Sequence, residues 1–297
     1  MLFARLDARE KRVNFRKALA TGKLLQFPGA ISPLAALEIQ RQGFDGVYIS
    51  GAVLSADLGL PDIGLTTLTE VSGRAEQIAR VVDLPAIVDA DTGFGEPMSV
   101  ARTIRMLEER GLAGTHLEDQ VNPKRCGHLD NKTLVTRDDM VRKLKAAIGA
   151  RRDKNFLIIA RTDARGVEGL DGAIARAKAY ADAGADMIFP EALADASEFA
   201  AMRKAVSVPL LANMTEFGKS RLLTKTELSD LGYNIVIYPV TLLRLAMGAV
   251  IDGLKAIKSS GSQESVVPKM QTRADLYELL RYKDYETFDS DIFNFRL

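Results

Sequence analysis

The 297 residues contain one cysteine, Cys126, two histidines, His116 and His128, and no tryptophan. A single cysteine excludes an internal disulfide and a redox pair, and so few Cys and His residues exclude a Cys/His zinc cage. Excess charge is also lacking: 40 basic residues face 39 acidic ones, for a net charge of +1, and no Lys/Arg block marks a nucleic-acid face or a membrane anchor. No apolar run approaches the roughly 18 residues of a membrane span. The opening MLFARLDAREKRVNFRKAL is too charged for a signal-peptide core. These absences leave a cytoplasmic protein whose partners are small molecules or copies of itself.

What is present is a 47% hydrophobic chain, ample for one large core. Eight short, nearly continuous apolar runs read as strands: KLLQFPG, DGVYISG, PAIVDAD, GTHLEDQ, FLIIARTDA, DMIFPEA, PLLANMTEF and NIVIYPV. Continuous rather than alternating apolar character is what a parallel sheet covered on both faces requires. Between them lie helix-period stretches such as PLAALEIQRQ, MSVARTIRMLEER and LDGAIARAKAYADA, several closed by a glycine (Gly43, Gly111, Gly184, Gly232) that accepts the left-handed end of a helix. Eight such units predict an α/β fold, a (β/α)8 TIM barrel, over a doubly wound sheet, because QFPGAISP after the first strand is no Gly-rich phosphate turn. The reading is a single barrel domain over 1–297, with 259–297 a C-terminal helical extension: SSGSQESVVP as loop and TRADLYELLRYKDYETF as one further helix.

Barrel enzymes carry their chemistry at the C-terminal strand ends. Those ends are polar here: Tyr48 and Ser50, Asp89 and Asp91, Glu118 and Asp119, Arg161 and Asp163, Glu191, Asn213 and Thr215, then Tyr238. So many carboxylates at one rim repel unless something positive sits among them. Asp89 and Asp91, two apart on an extended strand, would point to one side and share a cation, with Glu118 acting through a coordinated water. Oxygen ligands favour Mg²⁺ or Mn²⁺ over zinc; an Asp-x-Asp at a strand end also serves as a turn cap. Arg161, at the end of a wholly apolar run, suits a substrate carboxylate, and Lys124, Arg125 and Arg244 add positive charge around a site for a polyanion.

Cys126 lies in a polar segment of roughly 15 residues after the fourth strand, the length of a lid. KRCGHLDNK offers no apolar face to bury a thiol. Lys124, Arg125 and His128 are expected to lower its pKa, and Gly127 to supply a bend, so the sulfur reads as an acid or base on a mobile loop.

KRCGH after LEDQ, with VDADTGFG upstream and ARTDA downstream, resembles the isocitrate lyase and phosphoenolpyruvate mutase superfamily. YISG, LGLPDIG, FPEA, NMTEFG, YPV and MQTRADLYE extend the likeness from about residue 10 to 290, and the cysteine loop is that of its lyase branch. The resemblance implies a barrel whose last helix is exchanged with a neighbour in a homotetramer. It implies a lyase cleaving the tricarboxylate 2-methylisocitrate to pyruvate and succinate, by magnesium-assisted retro-aldol (retro-Claisen type) chemistry in the 2-methylcitrate cycle of propionate catabolism. Isocitrate lyase, 2,3-dimethylmalate lyase and oxaloacetate decarboxylase are its sister activities, and a non-catalytic scaffold is the answer of another class. The residue roles follow from the same resemblance. Asp89 and Asp91 match metal positions, with Glu118 supporting through water. Ser50, Gly51, Ala52, Gly127, Arg161, Glu191, Asn213, Thr215, Arg244 and Arg273 match substrate positions, and Cys126, Tyr48, Lys124 and His128 catalytic ones. One departure concerns substrate preference: relatives read SGG where this chain has Ser50, Gly51 and Ala52. Phe189 suits an apolar wall for the substrate methyl.

Overall fold

Eight apolar runs become eight parallel strands in a computed structural model that describes residues 4–129 and 131–293. They are β1 (Leu25–Pro28), β2 (Val47–Ile49), β3 (Ala86–Asp89), β4 (Gly114–Glu118), β5 (Leu157–Thr162), β6 (Met187–Pro190), β7 (Leu211–Asn213) and β8 (Ile235–Tyr238). β2 to β6 pair in chain order, and β8 pairs with both β7 and β1. Single parallel bridges, Gly29 to Tyr48 and Ile188 to Leu210, join the two groups and close the barrel. At the first seam a Cβ on Gly29 would stand 2.0 Å from the Pro239 carbonyl oxygen, so the close approach of backbones there admits no side chain.

Helices follow strands as the apolar periodicity dictates: α2 (Pro33–Arg41), α3 (Gly51–Asp57), α4 (Leu68–Ala79), α5 (Pro97–Glu109), α6 (Arg137–Ala150), α7 (Arg165–Asp182), α8 (Ala196–Ala205) and α9 (Lys225–Asp230). Gly43, Gly111, Gly184 and Gly232 all take positive φ between helix and strand, as expected. Residues alternate between two cores. One set, including Val47, Ile49, Val88, Ile158, Ile188 and Val236, faces outward and packs with the helices. The other, including Phe27, Ile87, Leu157, Ile159, Leu211 and Ile237, fills the barrel. Each such buried aliphatic side chain contributes about 1.5–3 kcal/mol.

A helix not foreseen from the sequence precedes the barrel: α1 (Ala8–Ala20), opened by a capping box between Asp7 and Glu10. Its Phe15 and Leu19 join the inner core, with the Phe15 ring 5.4 Å from that of Phe27. α1 therefore plugs the barrel; Lys11 and Arg12 are buried with it, donating to the carbonyls of Ala79 and of Leu112 and Glu108, while Arg9, Glu10 and Lys17 are exposed.

The C-terminal part departs from the expected loop and single helix. α10 (Thr241–Ser260) runs through the start of SSGSQESVVP, and a 3-10 turn covers Glu264–Lys269. The further helix is two: α11 (Arg273–Leu279) and α12 (Tyr282–Phe293), broken where Arg281 takes a φ of 56°. α10 occupies the place of the eighth barrel helix in the chain, yet none of its residues is buried. Met247, Val250, Ile251, Leu254 and Ile257 form a helical stripe that stays about half exposed. Among the described residues, no helix is long and apolar enough to cross a membrane.

Candidate active site

Strand register brings the polar ends together. Asp89 stands opposite His116 across β3 and β4, and Glu118 opposite Arg161 across β4 and β5. Asp89 and Asp91 do converge, but not through strand alternation. Asp91 has left the strand at φ 47°, and its backbone N–H donates to Asp89 Oδ1 at 3.0 Å. Gly51, at the start of α3, seats against both: a Cβ there would lie 2.9 Å from Asp89 Oδ2 and 3.3 Å from Asp91 Oδ1. Ser50 is buried beside it as the cap residue of α3, and Ala52 follows on that helix. A cavity of about 440 Å³, bounded by Thr66, Thr69, Phe94, Arg102 and Asn122, reaches Asp91 from outside.

The charges in this cluster are strongly displaced. Burial and the neighbouring Asp89 push Asp91 up to about 6, although Lys124 opposes them. Burial pushes Asp89 up as well, but His116 when protonated, and the standing charges of Lys124 and Arg161, outweigh it and hold the carboxyl below its usual range. Glu118 is pushed well up by burial against the pull of Arg161. Lys124 loses hydration by burial, yet Glu118, Asp89, Asp91 and Asp62 raise its pKa; Nζ lies 2.9 Å from Asp91 Oδ1 and also contacts Asp62. His116, driven down to about 4 by burial, is a neutral link between Tyr48, whose hydroxyl is 2.7 Å from Nε2, and Asp89, 3.6 Å from Nδ1.

Asp91 Oδ1 and both Glu118 oxygens are buried without a directed hydrogen bond. Lys124 faces the first at 2.9 Å and Arg161 faces Glu118 Oε2 at 3.2 Å, so the charge is answered while acceptor capacity stays open. This donor set fits a hard divalent cation. Among the described residues no three or more His, Cys, Asp or Glu side chains form a ready cage. Magnesium does not need one, since it is commonly held by one or two carboxylates and completed by water and substrate oxygens.

Arg161 is the hub of the other half. Nε donates to Asp163 Oδ2 at 3.0 Å and Nη2 to Oδ1 at 3.2 Å, while Nη1 lies 3.2 Å from Glu118 and Nη2 3.4 Å from Glu191. Phe189 is wholly buried beneath the guanidinium, 5.2 Å away, with its ring edge-to-face with His116. It supports Arg161 instead of standing as an open apolar wall. Burial pushes Glu191 up, but Arg161, His128 and Lys132 hold it far below its usual range; Asn213 Nδ2 donates to it at 3.2 Å. Asp119 is no part of the open rim. It accepts from Thr162, Tyr180, Arg176 and the Asp163 backbone, a buried structural anchor.

The segment after β4, the expected lid, has a fixed base. Gln120 bridges antiparallel to Leu134, and its side chain exchanges hydrogen bonds with the Arg125 backbone. The lid is seated: a Cβ on Gly127 would be 2.4 Å from Glu191 Cγ and 2.5 Å from Arg161 Nη2. His128 Nε2 lies 2.8 Å from Glu191, and Nδ1 accepts from the Lys219 backbone at 2.9 Å. Cys126 is half-buried, which corrects the expectation of a lowered pKa. Burial pushes the thiol above its ordinary 9.0, and Asp62 and Glu191 add to this; the His128 backbone and Arg161 oppose it without prevailing. Lys124 is spent on the carboxylates, His128 on Glu191, and the Arg125 side chain is exposed.

Two expected arginines are not brought into the cluster. Arg244, on α10, faces Glu216 at 3.6 Å and the Phe217 ring at 5.1 Å, and Arg273 is exposed on α11. Thr215 is partly buried near Gly218 on the loop that receives His128, and Tyr238 accepts from Gln26 at 3.1 Å, away from the site. Sequence reasoning missed Asp62, partly buried, and Lys132, buried, each held in an ion pair. The one hint was a polar residue inside LGLPDIG and inside DNK.

The phosphoenolpyruvate phosphomutase family matches residues 15–258. A protein of Corynebacterium glutamicum named "Probable 2-methylisocitrate lyase 2" is 63% identical over 286 residues, covering 96% of this chain and 93% of its own. A 2-methylisocitrate lyase of Aeropyrum pernix is 48% identical over 277 residues, covering 93% and 89%. Among solved structures, oxaloacetate acetylhydrolase in complex with 3,3-difluorooxalacetate matches with a TM-score of 0.90 at 33% identity, over 97% of this chain and 98% of that one. A phosphonopyruvate hydrolase complex with oxalate and Mg²⁺ matches at 0.86 and 30%, over 94% and 98%. Closed parallel barrel, acidic rim and near-full-length relatives agree, and the chain belongs to the phosphoenolpyruvate phosphomutase family of the PEP mutase/isocitrate lyase superfamily.

Proposed function

We propose that the protein cleaves 2-methylisocitrate to pyruvate and succinate, in the 2-methylcitrate cycle of propionate catabolism. The substrate follows from the relatives at 63% and 48% identity. The observation that carries the chemistry is a thiol kept protonated on a lid seated against Arg161 and Glu191.

Asp89 and Asp91 would hold Mg²⁺ (or Mn²⁺), with Glu118 supporting through water; when bound, the ion neutralises the substrate hydroxyl oxygen and its adjacent carboxylate. The protein does the rest. Arg161, steadied by Asp163 and Phe189, grips a carboxylate together with Ser50, Gly51, Ala52, Asn213 and Thr215, and Arg244 and Arg273 supply charge at the margin. Glu191 orders Arg161, Asn213 and His128, and Gly127 lets the lid backbone reach them. The hydroxyl proton leaves to a carboxylate-linked water, or to Tyr48 as Tyr48, held protonated by burial, passes its own proton to the neutral His116 2.7 Å away, and the O–H electron pair becomes part of the pyruvate C=O bond. The adjacent C–C bond breaks, and its pair stays on the succinate carbon. Cys126 gives its proton to that carbon, with Lys124 and His128 fixing the lid around it.

The oligomer belongs to the same reading. The expected exchange concerns the additional C-terminal helix of the extension 259–297 of one barrel domain, in a cytoplasmic homotetramer; the bare apolar stripe of α10, just before it, supports a neighbouring copy on that side.

The test is a substrate panel with Mg²⁺: 2-methylisocitrate, isocitrate, 2,3-dimethylmalate and oxaloacetate, each followed for its released oxo acid or acid. The expected result is a kcat/KM for 2-methylisocitrate at least tenfold above the others. Faster turnover of another substrate would move the assignment to that sister activity.

A further inference from the structure

Lys132 stands in the lid six residues beyond Cys126, and its side chain turns back under the lid instead of outward. Its ammonium donates to the Gly127 carbonyl and lies 3.1 Å from Asp163 Oδ1, the carboxylate that already holds Arg161 through both oxygens. Lys132 and Asp163 are both buried. We propose that Lys132 is a positioning residue, a latch that fixes the Cys126–Gly127 segment to the rim through Asp163. The inference rests on the lyase reading for its effect on turnover, but not for its effect on the lid.

Two features separate a latch from a permanent strut. A buried ion pair is costly to break when one charge is left unpaired. When Lys132 withdraws with the lid, Asp163 keeps the two-pronged Arg161 and the buried network around Asp119, whose carboxylate accepts from the Asp163 backbone N–H. The second fastening has the same form. When His128 withdraws, Glu191 keeps Asn213, the Ala192 backbone N–H and Arg161. Both fastenings end on carboxylates already satisfied by fixed groups, so the lid can lift without stranding a buried charge. Both also meet at Arg161, so a substrate carboxylate drawing on Arg161 is coupled to the fit of the lid above it.

The test compares wild type, Lys132→Met, Lys132→Arg and Cys126→Ser. Hydrogen exchange of the amides from Arg125 to Leu129, without substrate, is normalised to α5 and α6. In Lys132→Met these amides are expected to exchange at least tenfold faster, with kcat down at least tenfold and KM within threefold. Lys132→Arg, which keeps the charge, recovers part of both. Cys126→Ser loses kcat and keeps wild-type lid protection. Unchanged lid protection in Lys132→Met would overturn the latch. Should that variant fail to fold, Lys132→Gln is read in the same way and with the same force. Wild-type inactivity on 2-methylisocitrate would count against the functional reading alone, since the exchange measurement decides the latch without turnover.

Discussion

Cys126 shows how three-dimensional surroundings reverse a local sequence argument. KRCGH puts positive residues on both sides of the thiol, which in an open chain would favour the thiolate. In the fold, Lys124 turns to Asp91 and Asp62, and His128 turns to Glu191. What remains for the sulfur is burial, which pushes its pKa above 9.0. A protonated thiol is the form a proton donor needs. Activity dependent on that proton is present below the thiol pKa and is lost as pH rises through it. The alkaline limb of kcat is therefore expected above pH 9.0 in wild type, with slow iodoacetamide labelling at neutral pH. Cys126→Ser is expected to lower kcat by roughly 10²- to 10⁴-fold while Mg²⁺-dependent substrate binding measured by calorimetry persists. Turnover near wild type would remove the thiol from the mechanism. Asp62 and Lys132 were illegible for the same reason: each acquires its meaning from a partner 62 or 31 positions away.

At the level of elements, the strands were the most legible part. A strand buried on both faces must be apolar at every position, so eight such runs announced themselves, and glycine at four of the helix ends supported the alternation. Polar strand ends were equally plain, because ionised groups stand out beside a wholly apolar run, although Asp119 among them is a structural anchor. α1 was not legible, since its apolar residues are few and its charge pattern is that of a solvated helix. Only Phe15 and Leu19, in the inner core, reveal its role as the plug. Phe15→Ala is expected to cost about 3–5 kcal/mol of stability by urea denaturation, leaving the residues of the rim untouched. A loss under 1 kcal/mol would mean that the barrel closes without its plug. The break at Arg281 has no signal in RADLYELLRYKDYETF, where neither glycine nor proline interrupts the period.

For the whole molecule, the chain leaves one side unfinished. Seven of the barrel's units carry a packed helix, and the eighth, α10, presents its apolar stripe outward. A neighbouring copy of the chain completes that side in the proposed tetramer. Light scattering is expected to give about four times the 32.4 kDa chain mass, and Leu254→Glu, on the stripe, a smaller assembly. A wild-type monomer would contradict helix exchange. This state was accessible from sequence through resemblance alone, because an amphipathic helix looks the same whether it packs on its own barrel or on another.

The central claim is that a C–C bond of 2-methylisocitrate is broken and a protein proton is delivered to the new succinate carbon. The reaction run in D₂O with Mg²⁺ and followed by NMR examines both halves at once. Equal amounts of pyruvate and of succinate bearing a single deuterium are the expected products, formed by wild type and at a greatly reduced rate by Cys126→Ser. Failure to release pyruvate from 2-methylisocitrate, or formation of succinate at an undiminished rate by Cys126→Ser, would contradict the account.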